Sequence, residues 1–170
     1  MKLILALAML AVCGCASAQA PSTAPAPSAP PPRAKGPPLA PAIAAAQAGI
    51  AVCKANGYTV TALIVDSAGD PVVLLSGDGA SLATQIYARK KTAAVIKYKV
   101  PSADVVAKVK ADPAFAAEVK ADPNIGFAMA GAQPIVSGGE LIGAFAISGA
   151  PGGDKDEACV TAGLAKSPIK

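Results

Sequence analysis

Histidine and tryptophan are missing altogether from this 170-residue chain, aromatic residues make up 4% of it and charged residues 15%. Without His there is no Ser-His-Asp or Cys-His nucleophile system and no His-ligated zinc. Three Tyr and three Phe are too few for a base-stacking platform, so nucleic acid is not an expected partner. The net charge of +4 does not by itself call for a polyanion either. What remains is 53% hydrophobic residues with 16 Gly and 16 Pro. The length suits one domain plus extensions, because a single core serves roughly 100–200 residues.

The extensions are at the N-terminus. Residues 1–20 read as an export signal: Lys2 is the basic start, Leu3 to Val12 are unbroken apolar, and small residues follow. That run falls well short of the roughly 20 residues a membrane-spanning helix needs. Ala16-Ser17-Ala18 and Ala18-Gln19-Ala20 fit ordinary signal-peptidase cleavage, giving a periplasmic or secreted protein. Val12-Cys13-Gly14-Cys15 instead resembles a lipobox, which leaves Cys15 as a lipid-modified N-terminus anchored to the envelope. Residues 21–39 are proline-rich with almost no bulky apolar side chains, and are expected to form an extended, disordered spacer. Either cleavage route leaves Cys53 and Cys159 in an oxidising compartment, where they are expected to pair; two buried free thiols are the alternative.

Residues 40–170 carry the fold. An Ala-rich helix over 40–55 stops at Asn56-Gly57. Tyr58–Val65 and Pro71–Leu75 flank the turn Asp66-Ser67-Ala68-Gly69-Asp70 and read as a hairpin. A long helix from Leu82 to Lys99 has Ser81 as its expected N-cap. Two short helices follow, over Ala103–Lys110 and after Asp112-Pro113, where Asp caps and proline takes the first helical position. Gly126–Val136 and Glu140–Ser148 form a second expected hairpin around Ser137-Gly138-Gly139. A last helix over 154–166 is expected to be capped by Asp154 with Glu157. Two hairpins among helices predict an antiparallel sheet and an α+β class.

Chemistry-bearing candidates are few. Gly149-Ala150-Pro151-Gly152-Gly153-Asp154-Lys155 suggests a phosphate loop, yet Asp154 stands where a Walker A motif needs Gly. A tight turn before a capped helix explains it equally well. Gly77-Asp78-Gly79 follows a hairpin rather than opening a βαβ unit, which argues against a dinucleotide site. Between Arg89 and Lys110 seven basic residues face one acid, Asp104. On the long helix Tyr87, Lys91, Ala94 and Tyr98 share a face, and Leu82, Ile86, Ala93 and Ile96 trace what reads as the core-facing stripe. A strip of phenols and an ammonium suits a flat apolar ligand bearing carboxylates; an ordinary solvated face with snorkelling lysines is the alternative.

Val65-Asp66-Ser67-Ala68-Gly69-Asp70, Ala88-Arg89-Lys90-Lys91, Pro101-Ser102, Pro134-Ile135-Val136 and above all Ile142 to Cys159 resemble the GlcG/HbpS-like haem-binding family, whose label is also written haem-degrading. The resemblance spans nearly the whole of residues 40–170. It implies a profilin-like sandwich, an antiparallel sheet of two hairpins flanked by helices, that self-associates into a homo-oligomer. It also implies haem, or a related tetrapyrrole, as cofactor, for scavenging, storage or sensing. Relatives often carry His where Asp70 stands here. In its absence Tyr87 and Tyr98 become the candidate iron ligands, with Met129, Lys91 or a hydroxyl such as Thr92 behind them, and Arg89 and Lys91 are expected to meet the propionates. The same resemblance leaves open a haem-degrading or other small-molecule enzyme, such as an isomerase acting on a small acid, and a non-catalytic oligomeric scaffold.

Overall fold

A computed structural model describes residues 34–166 and Ile169; the expected signal segment, its cleavage sites, Cys13, Cys15 and most of the proline-rich spacer lie outside the described residues. The elements run α1 Leu39–Ala55, β1 Thr61–Asp66, β2 Pro71–Ser76, α2 Leu82–Tyr98, α3 Ser102–Ala111, α4 Pro113–Ala121, β3 Ala132–Ser137, β4 Glu140–Ser148 and α5 Gly153–Lys166. The strands form one antiparallel sheet in the order β2-β1-β4-β3, so the two hairpins meet along β1 and β4. The fold is α+β.

Both inner strands are buried on both faces, which removes the polar alternation of a half-exposed strand. Ala62, Ile64, Phe145 and Ile147 point to the layer of α1 and α5, whereas Leu63, Val65, Ala144 and Ala146 face α2. α1 and α5 approach closely because small residues line their contact. A Cβ on Gly163 would lie 2.6 Å from the Ala45 carbonyl oxygen, and one on Gly49 would lie 3.1 Å from that of Cys159. The Cys53–Cys159 disulfide ties these helices together across 106 residues of chain, with the Cα atoms 5.7 Å apart. On the other side of the sheet, α3 and α4 build a smaller core on α2 from Ala94, Val105, Phe115, Val119 and Ile125.

Local chemistry explains most of the boundaries. Asp66 Oδ1 accepts the N–H groups of Ala68 and Asp70 at 2.9 Å each and shapes the first hairpin turn. Asp112 Oδ1 accepts from Ala114 and Phe115 and caps α4. Buried Ser102 accepts the Ala132 N–H at 2.9 Å, joining the start of α3 to the first residue of β3.

Four expectations are corrected. Ser81 stands at the N-cap position of α2 but makes no side-chain cap bond; its carbonyl instead accepts the Thr84 hydroxyl. β3 begins at Ala132 rather than Gly126, because the chain turns at 123–125 and bends over 126–130, with Gly126 and Gly131 at positive φ. The side chain that grips the loop before α5 is Asp156, which accepts the Ala150 N–H, while Asp154 lies in the helix's first turn. Leu82 and Ile86 are exposed, at 68% and 45%, so only the Ala93 and Ile96 end of the expected stripe packs on the core. The buried side of α2 is Ala88, Lys91, Thr92, Ala94 and Val95. The sheet beneath is already filled by Leu63 and Val65, which leaves room above it for small side chains rather than for a row of large aliphatics.

Candidate functional site

The N-terminal half of α2 forms one wall of a cleft of about 580 Å³. Tyr87 and Lys91 come from α2, and Ala128, Met129 and Ala130 from the segment before β3. The loop Gly149–Gly153 and the start of α5 close the opposite side. The size is that of a small-ligand pocket. Small side chains and glycines make most of the walls, so the side-chain chemistry comes from a few groups.

The floor is an ion pair. Lys91 Nζ lies 2.6 Å from Asp156 Oδ2 and donates also to the Ile147 carbonyl at 2.9 Å, with the two side chains only 3% and 5% exposed. Burial lowers the Lys91 ammonium below its ordinary value, opposed by the charge and hydrogen bond of Asp156 and by Glu157. Burial likewise raises the Asp156 carboxyl, opposed by Lys91 and by the Ala150 N–H. Both shifts run toward the neutral pair, as desolvation requires. Gly131 makes the arrangement possible. At φ +111° it lies so close that a Cβ there would sit 2.6 Å from Asp156 Cβ and 2.7 Å from Lys91 Nζ.

At the mouth, Tyr87 meets Phe127 edge-on with ring centroids 5.9 Å apart, and both rings are exposed on one side. Lys90 Nζ stands 5.6 Å from the Phe127 centroid and donates to the Ile125 carbonyl. Thr84, on the same wall, joins a hydroxyl cluster with Thr61 at 2.7 Å, and Thr61 with Ser76 at 2.8 Å.

The structure therefore brings Tyr87, Lys91 and Met129 together and sends the other candidates elsewhere. Arg89 and Thr92 line a second groove of about 410 Å³ on another side of α2, with Ala68, Lys97 and Asp122. The Thr92 hydroxyl is turned onto the Arg89 carbonyl. Tyr98 belongs to neither. It packs on Phe115 with centroids 4.9 Å apart and donates to Glu118, and burial followed by that hydrogen bond raises its phenol above the usual range. Tyr98 does share the Tyr87 face, but eleven residues carry it about 16 Å along the axis, past the end of the cleft. Asp156 and Gly131 are the members that sequence reasoning missed. Asp156 was visible only as part of the Ile142–Cys159 block, with nothing to mark it as Lys91's partner 65 residues away.

The donor set can be matched to a porphyrin by its chemistry. A phenol and a thioether are both haem-iron ligands. Apolar walls suit a flat macrocycle; the N-terminus of the 14-residue α5 offers N–H groups to a carboxylate, against the charges of Asp154 and Asp156 in the same first turn. Lys91 is already neutralised by Asp156, so it is not a free cation for a propionate.

Residues 38–165 match the family model described as haem degrading protein HbpS-like. Among solved structures, HbpS is similar with 28% identity and a TM-score of 0.70, over 79% of this chain and 92% of that one. A double mutant of Streptomyces reticuli HbpS matches at the same identity and TM-score over 88% and 97%. PduOC in complex with haem has the same fold, with a TM-score of 0.70 at 19% identity over 79% and 97%. No curated protein matches the chain significantly.

Proposed function

The chain belongs to the HbpS-like haem-degrading protein family, and from that premise we propose that it is an exported, self-associating haem-binding protein whose haem lies in the cleft beside α2. The observation that carries the reading is the meeting of Tyr87 and Met129 in one apolar-walled cleft of about 580 Å³. Tyr87 and Met129 would hold the iron, and the first-turn N–H groups of α5 would take the propionates. When bound, haem supplies an iron centre able to exchange electrons and take small ligands. The protein's part is to exclude water from one face of the macrocycle and to fix its orientation. The haem complex of PduOC, on the same fold, supports the ligand class.

Export is supported by the Cys53–Cys159 bond, which belongs in an oxidising compartment. Among the described residues no helix is long and apolar enough to cross a membrane; in the lipoprotein form the attachment would be the lipid at Cys15. The spacer enters the domain at the far end of the sheet from the cleft. The Lys35 carbonyl accepts the Ser67 N–H at 2.8 Å, Lys35 pairs with Glu140, and Pro37 is buried near Gly143. Ser148 at the cleft lies five positions along β4 from Gly143, about 17 Å. Self-association is supported by the exposed Leu82, Ile86, Tyr87 and Phe127.

Haemin titration of the purified protein tests the binding. A Soret shift saturating at one haem per cleft at micromolar protein is expected. Tyr87→Phe and Met129→Leu should change the ligand-field bands, and Tyr98→Phe should leave them as they are. No shift overturns haem binding, and a spectrum indifferent to both cleft variants overturns the ligand assignment. The family description favours a second reading, haem degradation. A protein-dependent loss of haem absorbance under ascorbate would establish it over simple carriage.

A further inference from the structure

The floor of the cleft holds a nucleophile that haem binding leaves unused. We propose that Lys91 is an imine-forming amine, which condenses with a small aldehyde entering the cleft while Asp156 takes and returns the protons. The inference does not rest on haem.

Among the described residues Lys91 Nζ has two acceptors, Asp156 Oδ2 at 2.6 Å and the Ile147 carbonyl at 2.9 Å. An ammonium has three protons, so one N–H, or the lone pair of the free amine, is without a protein partner. Lys91 lines the cleft, and at 3% exposure only a small reactant can reach it. Asp156 is fixed for proton transfer, because its other oxygen accepts the Ala150 N–H at 2.9 Å. The Gly131 backbone closes the amine's other flank, since a Cβ there would lie 2.7 Å from Nζ. Burial pushes this amine and this carboxyl toward their neutral forms, the state from which an amine attacks.

The step balances without a further reagent. The ammonium passes a proton to Asp156, and the nitrogen lone pair forms a bond to the carbonyl carbon as the π pair moves onto oxygen. Asp156 protonates that oxygen and accepts the second N–H proton. Asp156 returns that proton to the carbinolamine hydroxyl, which leaves as water as the nitrogen lone pair forms the C=N bond. The sum is amine plus aldehyde giving imine plus water.

Glyoxylate with cyanoborohydride, applied to the haem-free full chain near neutral pH, converts such an imine into carboxymethyl-lysine that peptide mapping locates. At short exposure Lys91 should carry at least about tenfold more adduct than the exposed Lys54, Lys99 and Lys155. Adduct confined to those exposed lysines, with Lys91 unmodified, overturns the proposal, and this wild-type result needs no variant to fold. Asp156→Asn, checked for native circular dichroism, should slow Lys91 labelling severalfold. An unchanged rate overturns the role of Asp156. Haemin added first should suppress the Lys91 adduct if it occupies the same cleft; a protein that takes glyoxylate at Lys91 but shows no Soret shift retains this proposal and loses only the haem reading.

Discussion

One helix, α2, carries two lysine–carboxylate pairs six residues apart, and their surroundings give them opposite characters. At the cleft, Lys91 and Asp156 form its nearly buried floor on the inner face of the helix, and burial lowers the amine. At the second groove, Lys97 lies in solvent between Asp122 at 2.9 Å and Glu118 at 3.3 Å, and the Asp122 hydrogen bond, the largest cause, raises its ammonium beyond the usual lysine range. The same charge types at similar distances thus serve different ends. A buried pair constrains what can stand around it, because either partner alone is an unpaired charge in a poor solvent. An exposed pair constrains almost nothing.

Breaking each pair tests that contrast most strongly. Lys91→Ala should cost about 3–5 kcal/mol in urea unfolding, because it strands the Asp156 carboxylate in the interior. Lys97→Ala should leave the urea midpoint essentially where it is. Equal effects from the two variants would abolish the distinction. Next in size is Gly131→Ala, which keeps both charges and only adds a Cβ where 2.6–2.7 Å is available. The strained backbone and the displaced pair should together cost about 1–3 kcal/mol. Gly138→Ala is the matched control, since its Cβ would meet nothing within 4 Å although its φ is also positive, at +58°. A crowding effect therefore shows as the excess of the Gly131 variant over this one.

Much of the fold was legible because it is written locally. Turn residues at 66–70 and 137–139, the Asp112-Pro113 start and the β-branched runs each point to one backbone conformation over a few positions. The family resemblance added the sandwich. What could not be read was which side of α2 faces the sheet. Helical periodicity groups Leu82 with Ile86 and Ala93, and large aliphatics normally mark the core. Here the inner face holds Ala88, Lys91 and Val95, since Asp156, brought in by α5, satisfies the lysine. That partner is a tertiary fact. The periodic pattern likewise put Tyr87 and Tyr98 on one face, which is correct angularly, and gave no account of where the cleft ends along the axis. Lys91 was therefore found for its charge and position, but expected to meet a ligand's propionate rather than an internal carboxylate.

The smallest expected effect is also the one that separates the two lysines by sign. The native Lys91 ammonium lies below its unfolded value of 10.5, so between those two values the unfolded chain binds more protons and stability rises with pH. Lys97 lies above 10.5 when folded; its contribution is whole below that value and is lost only as pH climbs through the folded one. Tyr98, raised above 10.0, keeps its proton longer in the native state, so its contribution also turns stability downward only beyond 10.0. Below that point these three groups leave Lys91 alone in tilting the curve, with Asp156 and Glu157 as the charged groups acting on it. Urea unfolding as pH approaches 10 from below should therefore show a shallow rise in stability in the wild type and in Lys97→Gln, and none in Lys91→Met. A wild-type curve that falls across this interval would mean that the ion pair's attraction outweighs its burial, and that the cleft amine is held charged.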